Sequence, residues 1–277
     1  MQRMGARRWG PLAVAAISAA VLILAGCAPS SASASGKRST ATSSSAAHSG
    51  TYSIVALGDS VPAGTACDCK PYPELSASLL SVPHGRQVSA TNDAVGGATS
   101  TDVLDDVTTN RRVESDVQTA DIVEIQIGAN DVGFSDTCGT TVGCYQPALS
   151  AIDQNLRGIV AQVHALTQTH PVLVVLLDYW SVWLGGAYAQ EQGQAYVDAA
   201  ASVTKQVNTV IHQAAVDTGS VYVDLVAAFK GPNYAYDETH FLASDGDHPN
   251  AKGHAQIARS VVDVVTATLQ PSASPSR

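Results

Sequence analysis

The sequence predicts an α/β fold, a three-layer α/β/α sandwich around a parallel, flavodoxin-like sheet of about five strands. Two observations carry this expectation. Short runs rich in Val and Ile alternate with longer stretches of helical periodicity from Tyr52 onward, and such β-α alternation builds parallel sheets covered by helices on both faces. The composition agrees: 45% of residues are hydrophobic, 14% charged and only 5% aromatic, and the abundant small residues suit close packing of helix on sheet. A chain of 277 residues holds one core of that kind with length to spare for tails.

The strand-like runs are Tyr52 to Leu57, Val88 to Ala94, Ile122 to Ile127, Val172 to Leu177 and Val221 to Leu225. Between and after them lie helical patterns. Pro147 precedes Leu149, Ile152, Leu156, Val160, Val163 and Leu166, a helix with proline in its first turn. Tyr196, Ala199, Ala200, Val203, Val207 and Ile211 recur on one face of a second, and Pro249 leads into a last helix carrying Ile257, Val261 and Val265.

The ends of the chain read differently. Arg3, Arg7 and Arg8 precede an apolar run from Pro11 to Ala25, which closes on Leu24-Ala25-Gly26-Cys27. A charged start and a short apolar stretch form a signal peptide over 1–26, and about 15 apolar residues is short for a membrane span. The closing tetrad resembles the lipobox of bacterial lipoproteins. That resemblance implies that Cys27 becomes the first mature residue and carries a lipid, anchoring an extracytoplasmic protein to the cell membrane; plain secretion is the alternative. Residues 27–50 are mostly Ser, Ala and Thr and read as a flexible linker. A catalytic domain is expected over 51–269, with a disordered tail at 270–277.

A formal net charge of −9 is repelled by phosphate backbones and excludes nucleic acid as the expected partner. A monomer is expected. Apart from Cys27 there are four cysteines, Cys67, Cys69, Cys138 and Cys144, an even number in an exported chain and therefore candidates for disulfides. Three pairings are open. Cys-x-Cys followed by Cys-x5-Cys departs from the usual zinc knuckle spacing, so no metal and no cofactor is expected.

In parallel α/β sheets ligands bind at the carboxyl ends of the strands, and here the loops there are polar or glycine-rich. They read Gly58-Asp59-Ser60, Gly96-Gly97-Ala98-Thr99 and Gly128-Ala129-Asn130-Asp131, joined by Asp245-Gly246-Asp247-His248-Pro249 before the last helix. A serine hydroxyl attacks only when a base takes its proton, and the base needs an anion to fix its tautomer. Ser60, His248 and Asp245 supply these types, the last two three residues apart in one loop. Tyr179, Trp180 and Trp183 follow the fourth strand and either wall a pocket on the same rim or pack in the core.

Taken in order, the four loops resemble the blocks of the SGNH or GDSL family of serine esterases and lipases, over roughly Ser53 to Thr266. The resemblance implies Ser60 as nucleophile, His248 as base, Asp245 as its orienting carboxylate, and an oxyanion hole of the Ser60 N–H, the Gly97 N–H and the Asn130 side chain. Two departures stand out: Val61 follows the serine where the family name has Leu, and Gly96 adjoins Gly97, leaving one residue of ambiguity. Asp59 and Asp131 are expected to hold loops. The implied activity is hydrolysis of carboxylic esters, of small molecules, glycans or lipids, through an acyl-enzyme on Ser60. Carbohydrate O-deacetylase, acyltransferase, thioesterase and a non-catalytic binding lipoprotein are the alternatives on the same site.

Overall fold

The protein is described by a computed structural model over residues 51–84 and 87–269. The expected signal peptide, Cys27, the linker up to residue 50 and the C-terminal tail lie outside the described residues. The sheet contains β1 (Tyr52–Gly58), β2 (Val88–Asn92), β3 (Ile122–Gln126), β4 (Leu173–Leu177) and β5 (Val221–Val223). All four pairings are parallel and the order is β2-β1-β3-β4-β5, the flavodoxin-like arrangement that the sequence predicts. Every residue of β3 is buried, whereas the edge strand β2 alternates half-buried with exposed residues. Such runs are what a strand covered on both faces requires.

The helices are α1 (Ser60–Ala63), α2 (Tyr72–His84), α3 (Ser100–Thr109), α4 (Arg111–Gln118), α5 (Gln146–Leu166), α6 (Gly186–Glu191), α7 (Gln194–Thr218), α8 (Leu225–Lys230) and α9 (Ala251–Leu269). They form two groups: α2 packs on α9, and α5 packs between α3 and α7. The core follows the predicted apolar faces. Ile152, Leu156, Val160 and Val163 of α5, Val203, Val207 and Ile211 of α7, and Ile257, Val261 and Val265 of α9 are all buried. Local signals set the ends of these helices. Thr99 and Asp102 form a reciprocal capping box at the start of α3, and Gly219 closes α7 in the left-handed conformation.

Three strands end earlier than their apolar runs, the third by one residue at Gln126 and the second and fifth by two. The second stops at Asn92, whose side chain holds the turn that follows, Nδ2 donating to Pro62 O at 2.7 Å and Oδ1 accepting from the Ala94 N–H at 3.2 Å. The fifth stops at Val223 because Asp224 turns to cap α8, accepting from the Ala227 N–H at 2.8 Å. Strand order reverses between β1, flanked by β2, and β3. Such a switch point opens a crevice beyond the strand carboxyl ends, where Ser60 and Asn130 follow.

Candidate active site

The turn carrying Ser60 is fixed by its neighbours. Gly58, at φ +148°, approaches β3 so closely that a Cβ there would lie 2.0 Å from Gln126 O, so only glycine fits. Asp59 follows, fully buried; Oδ1 accepts from the Val61 N–H at 3.0 Å and Oδ2 from the Tyr179 hydroxyl at 2.5 Å. Burial pushes the Asp59 carboxyl up to about 6, against the pull of these two bonds and of nearby His248. Ser60 is thereby held as the first residue of α1.

Asp245 and His248 come from the far end of the sequence, in the loop before α9. His248 Nδ1 lies 2.8 Å from Asp245 Oδ2, and Asp245 Oδ1 accepts from the backbone N–H groups of Asp247 and His248, both at 3.1 Å. Partial burial raises the Asp245 carboxyl, but the bonds from the His248 ring and the two amides outweigh it and hold the group below its ordinary value. A carboxylate on Nδ1 favours the tautomer whose Nε2 is free to accept a proton. The loop is pinned beneath: the Ala243 N–H donates to His248 O at 2.8 Å, and Asn250 Nδ2 donates to His240 O and Leu242 O.

Ser60, Asn130 and His248 line one cavity of about 290 Å³. The structure has no hydrogen bond between the Ser60 hydroxyl and the imidazole; unliganded sites commonly hold such pairs apart until substrate binds. Around the serine, hydrogen-bond donors stand ready. The backbone N–H groups of Ser60, Gly96 and Gly97 have no partner among the described residues. Asn130 Nδ2 donates to Ala98 O at 2.8 Å, which orients the amide and leaves its second N–H uncommitted. Gly97 sits at φ +84°, and a Cβ at Gly96 would lie 4.0 Å from Ser60 Cβ, so the whole Gly-Gly turn stands beside the serine. Asp131 braces this arrangement by accepting from the Ser100 N–H and hydroxyl at 2.9 and 2.6 Å; partial burial raises its pKa, opposed by these bonds.

Sequence motifs do not announce the rest of the cavity. Its walls include Phe134, Val182, Gln192 and Tyr196, drawn from loops and helices outside the four motifs, while Asp247 comes from the motif that carries His248. Phe134 is 43% exposed and stacks edge-on against Trp183 at 5.1 Å. Tyr179, Trp180 and Trp183 satisfy both of their expected roles, since each is buried and each lines the cavity. Trp183 Nε1 is anchored on Val132 O at 2.7 Å, and Asn208 brackets the Tyr179 peptide with bonds of 3.2 and 2.7 Å. Asp247 is pushed up chiefly by burial.

The cysteines pair locally, Cys67 with Cys69 and Cys138 with Cys144. Cys67, Cys69 and His254 form a group whose potential ligand atoms lie within 4.8 Å of one another. Both sulfurs are consumed in the disulfide, and His254 Nδ1 accepts from the Tyr72 N–H at 3.2 Å, so the neutral ring carries its proton on Nε2. Those commitments do not suit a metal.

Comparison with known proteins follows the same outline. The model of the GDSL-like lipase/acylhydrolase family matches residues 56–256. No curated protein matches the chain. Among solved structures, the lipase Lip_vut3 from a goat rumen metagenome superposes with a TM-score of 0.59 at 17% identity, covering 77% of this chain and 97% of that one. The acetylxylan esterase Axe2 from Geobacillus stearothermophilus gives 0.56 at 22% identity, covering 78% and 95%. A lipase/acylhydrolase from Enterococcus faecalis gives 0.54 at 21%, covering 79% and 98%. At such identities the structures share the fold, while the family match spans all four loops. The chain therefore belongs to the GDSL-like lipase/acylhydrolase family and is a hydrolase that acts on ester bonds.

Proposed function

We propose that the protein cleaves carboxylic esters in two acyl-transfer steps with Ser60 as nucleophile. His248 takes the hydroxyl proton through Nε2 as Ser60 Oγ bonds to the ester carbonyl, and the resulting imidazolium passes that proton to the departing alcohol. Water, deprotonated by the same ring, then attacks the acyl-enzyme and frees the acid. Asp245 holds the imidazole and offsets its transient charge. The oxyanion rests on the Ser60 N–H, the Gly97 N–H and the Asn130 amide, donors fixed in advance and so costing little reorganisation during reaction.

The observation that supports this reading is the Asp245–His248 bond of 2.8 Å at the edge of a cavity that Ser60 also lines. With a volume of about 290 Å³ and walls of Phe134, Trp183 and Tyr196, that cavity suits a compact acyl or alcohol group. Replacing Ser60 by Ala should abolish turnover of a short-chain nitrophenyl ester and labelling by a fluorophosphonate. Turnover that survives the change refutes the mechanism.

We also propose that the enzyme works outside the cytoplasm, tethered through a lipid on Cys27. Loss of membrane association in Cys27→Ala would support this; retained association would refute it.

A further inference from the structure

A second, larger hollow lies beside the catalytic one. Its volume is about 720 Å³ and its walls come from the segment after β4, from α7 and from the chain following α8. That volume falls in the range of small-molecule sites, roughly 300–1,000 Å³. On its rim stand Tyr234 and Tyr236, 56% and 64% exposed. Neither ring trails loosely. The Tyr234 hydroxyl donates to Asp224 Oδ2 at 3.0 Å, and its backbone is held at φ +55°, a conformation that costs an L-residue free energy. Tyr236 has its N–H on Lys230 O at 2.8 Å, and its ring covers Gly231 so closely that a Cβ there would come within 2.5 Å. A strained backbone holding two aromatic faces in water beside a hollow points to a ligand.

The charges of the lining say which kind. Glu238 is neutralised by Lys230 at 3.0 Å and accepts from the Gly186 N–H at 2.9 Å. Burial pushes Asp178 up to about 8, so near neutral pH it is mostly uncharged. Asp224 and Asp237 share the lining with Lys205, which leaves only a small excess of negative charge. A nearly balanced lining repels neither sign strongly and gives neither an anion nor a cation a dedicated partner. What it offers is aromatic faces alternating with hydroxyl, amide and carboxyl groups. A sugar ring matches both, presenting C–H groups on its faces and hydroxyls at its edge.

We propose that this hollow binds a neutral oligosaccharide, with Tyr234 and Tyr236 as stacking platforms. Trp180, Ser181 and Leu184 line both hollows, so a glycan held here is kept next to the hydrolytic site. The proposal does not depend on Ser60 chemistry, because binding is read without turnover.

The test titrates the full-length chain, purified in detergent, with xylohexaose, cellohexaose and mannohexaose, followed by calorimetry. Saturable binding of at least one is expected, weakened roughly ten-fold or more by Tyr236→Ala and by Tyr234→Ala, with the circular dichroism spectrum retained. Tyr236 is mostly solvent-exposed, so its variant keeps the test valid if Tyr234→Ala misfolds. Absence of binding by all three sugars at about 10 mM, or binding indifferent to both tyrosines, overturns the proposal. Saturation by choline or laurate but not by the sugars would overturn it in favour of a cationic or lipid ligand.

Discussion

The phenol of Tyr179 donates to Asp59 Oδ2 at 2.5 Å, tying the end of β4 to the turn that presents Ser60 across 120 residues of sequence. Because Asp59 is buried and its folded pKa is raised to about 6, its contribution to stability is fully present below the unfolded value and is lost as pH rises through about 6. Tyr179→Phe removes a bond that favours the charged form, so the loss should extend to higher pH. We expect the variant to be less stable by about 1–3 kcal/mol at pH 8 and by less at pH 5. Urea unfolding across that interval checks it; an equal gap at both ends would show that Asp59 is not involved.

Asp245 holds His248 through Nδ1 and through two backbone amides. In Asp245→Asn the side chain can turn its NH₂ to Nδ1 and favour the opposite tautomer, with the proton on Nε2. A fall in kcat of about 10³–10⁴-fold is expected, with KM nearly unchanged. The carboxylate is 39% exposed, so the thermal midpoint should move little. A variant with wild-type turnover would remove Asp245 from the mechanism.

The Asn130 amide is oriented by its bond to Ala98 O, so truncation deletes one donor without opening the core. Asn130→Ala should lower kcat about 10²–10³-fold. Gly97→Ala tests its companion differently: at φ +84° the methyl strains the turn by about 1–2 kcal/mol, although it meets no atom within 4 Å. Gly96→Ala would instead press on Thr65 Oγ1 at 3.2 Å. If only the Gly96 change impairs turnover, the working amide belongs to the first glycine.

How far these features could be read from sequence depends on their range. The strands were legible because β4 is a run of Leu and Val and β3 keeps Ile122, Val123 and Ile125 in a largely apolar stretch, as burial on both faces demands. The site loops were legible because each motif sits at a strand or helix boundary, where Gly58 and the Asp245–His248 spacing are local demands. Helix α4, Arg111-Arg112-Val113-Glu114-Ser115-Asp116-Val117-Gln118, buries only Val113 and Val117, too sparse a stripe to register as a helix. The Tyr179–Asp59 bond, the Phe134 wall and the hollow flanked by Tyr234 depend on contacts between distant segments, which periodicity does not encode. The cysteine pairing was open for a different reason: both bridges are local, but four sulfurs allow three connectivities until the backbone places them.

One residue inside a legible strand carries an energetic conflict that the pattern hides. Glu124, in the middle of β3, is fully buried, and neither carboxylate oxygen has a hydrogen-bond partner among the described residues. Burial alone drives its pKa well above the carboxylate range, because removal from water disfavours the charged form. Its stabilising effect is therefore complete below the unfolded value and declines as pH rises toward the folded one. Replacement by Met keeps comparable bulk and removes the unsatisfied oxygens. We expect Glu124→Met to gain about 1–3 kcal/mol at pH 8 and less at pH 5, flattening the dependence of stability on pH. Chemical unfolding at the two pH values decides it: a variant less stable at pH 8 would mean that Glu124 has partners the fold relies on, and that its charge is satisfied within the sheet.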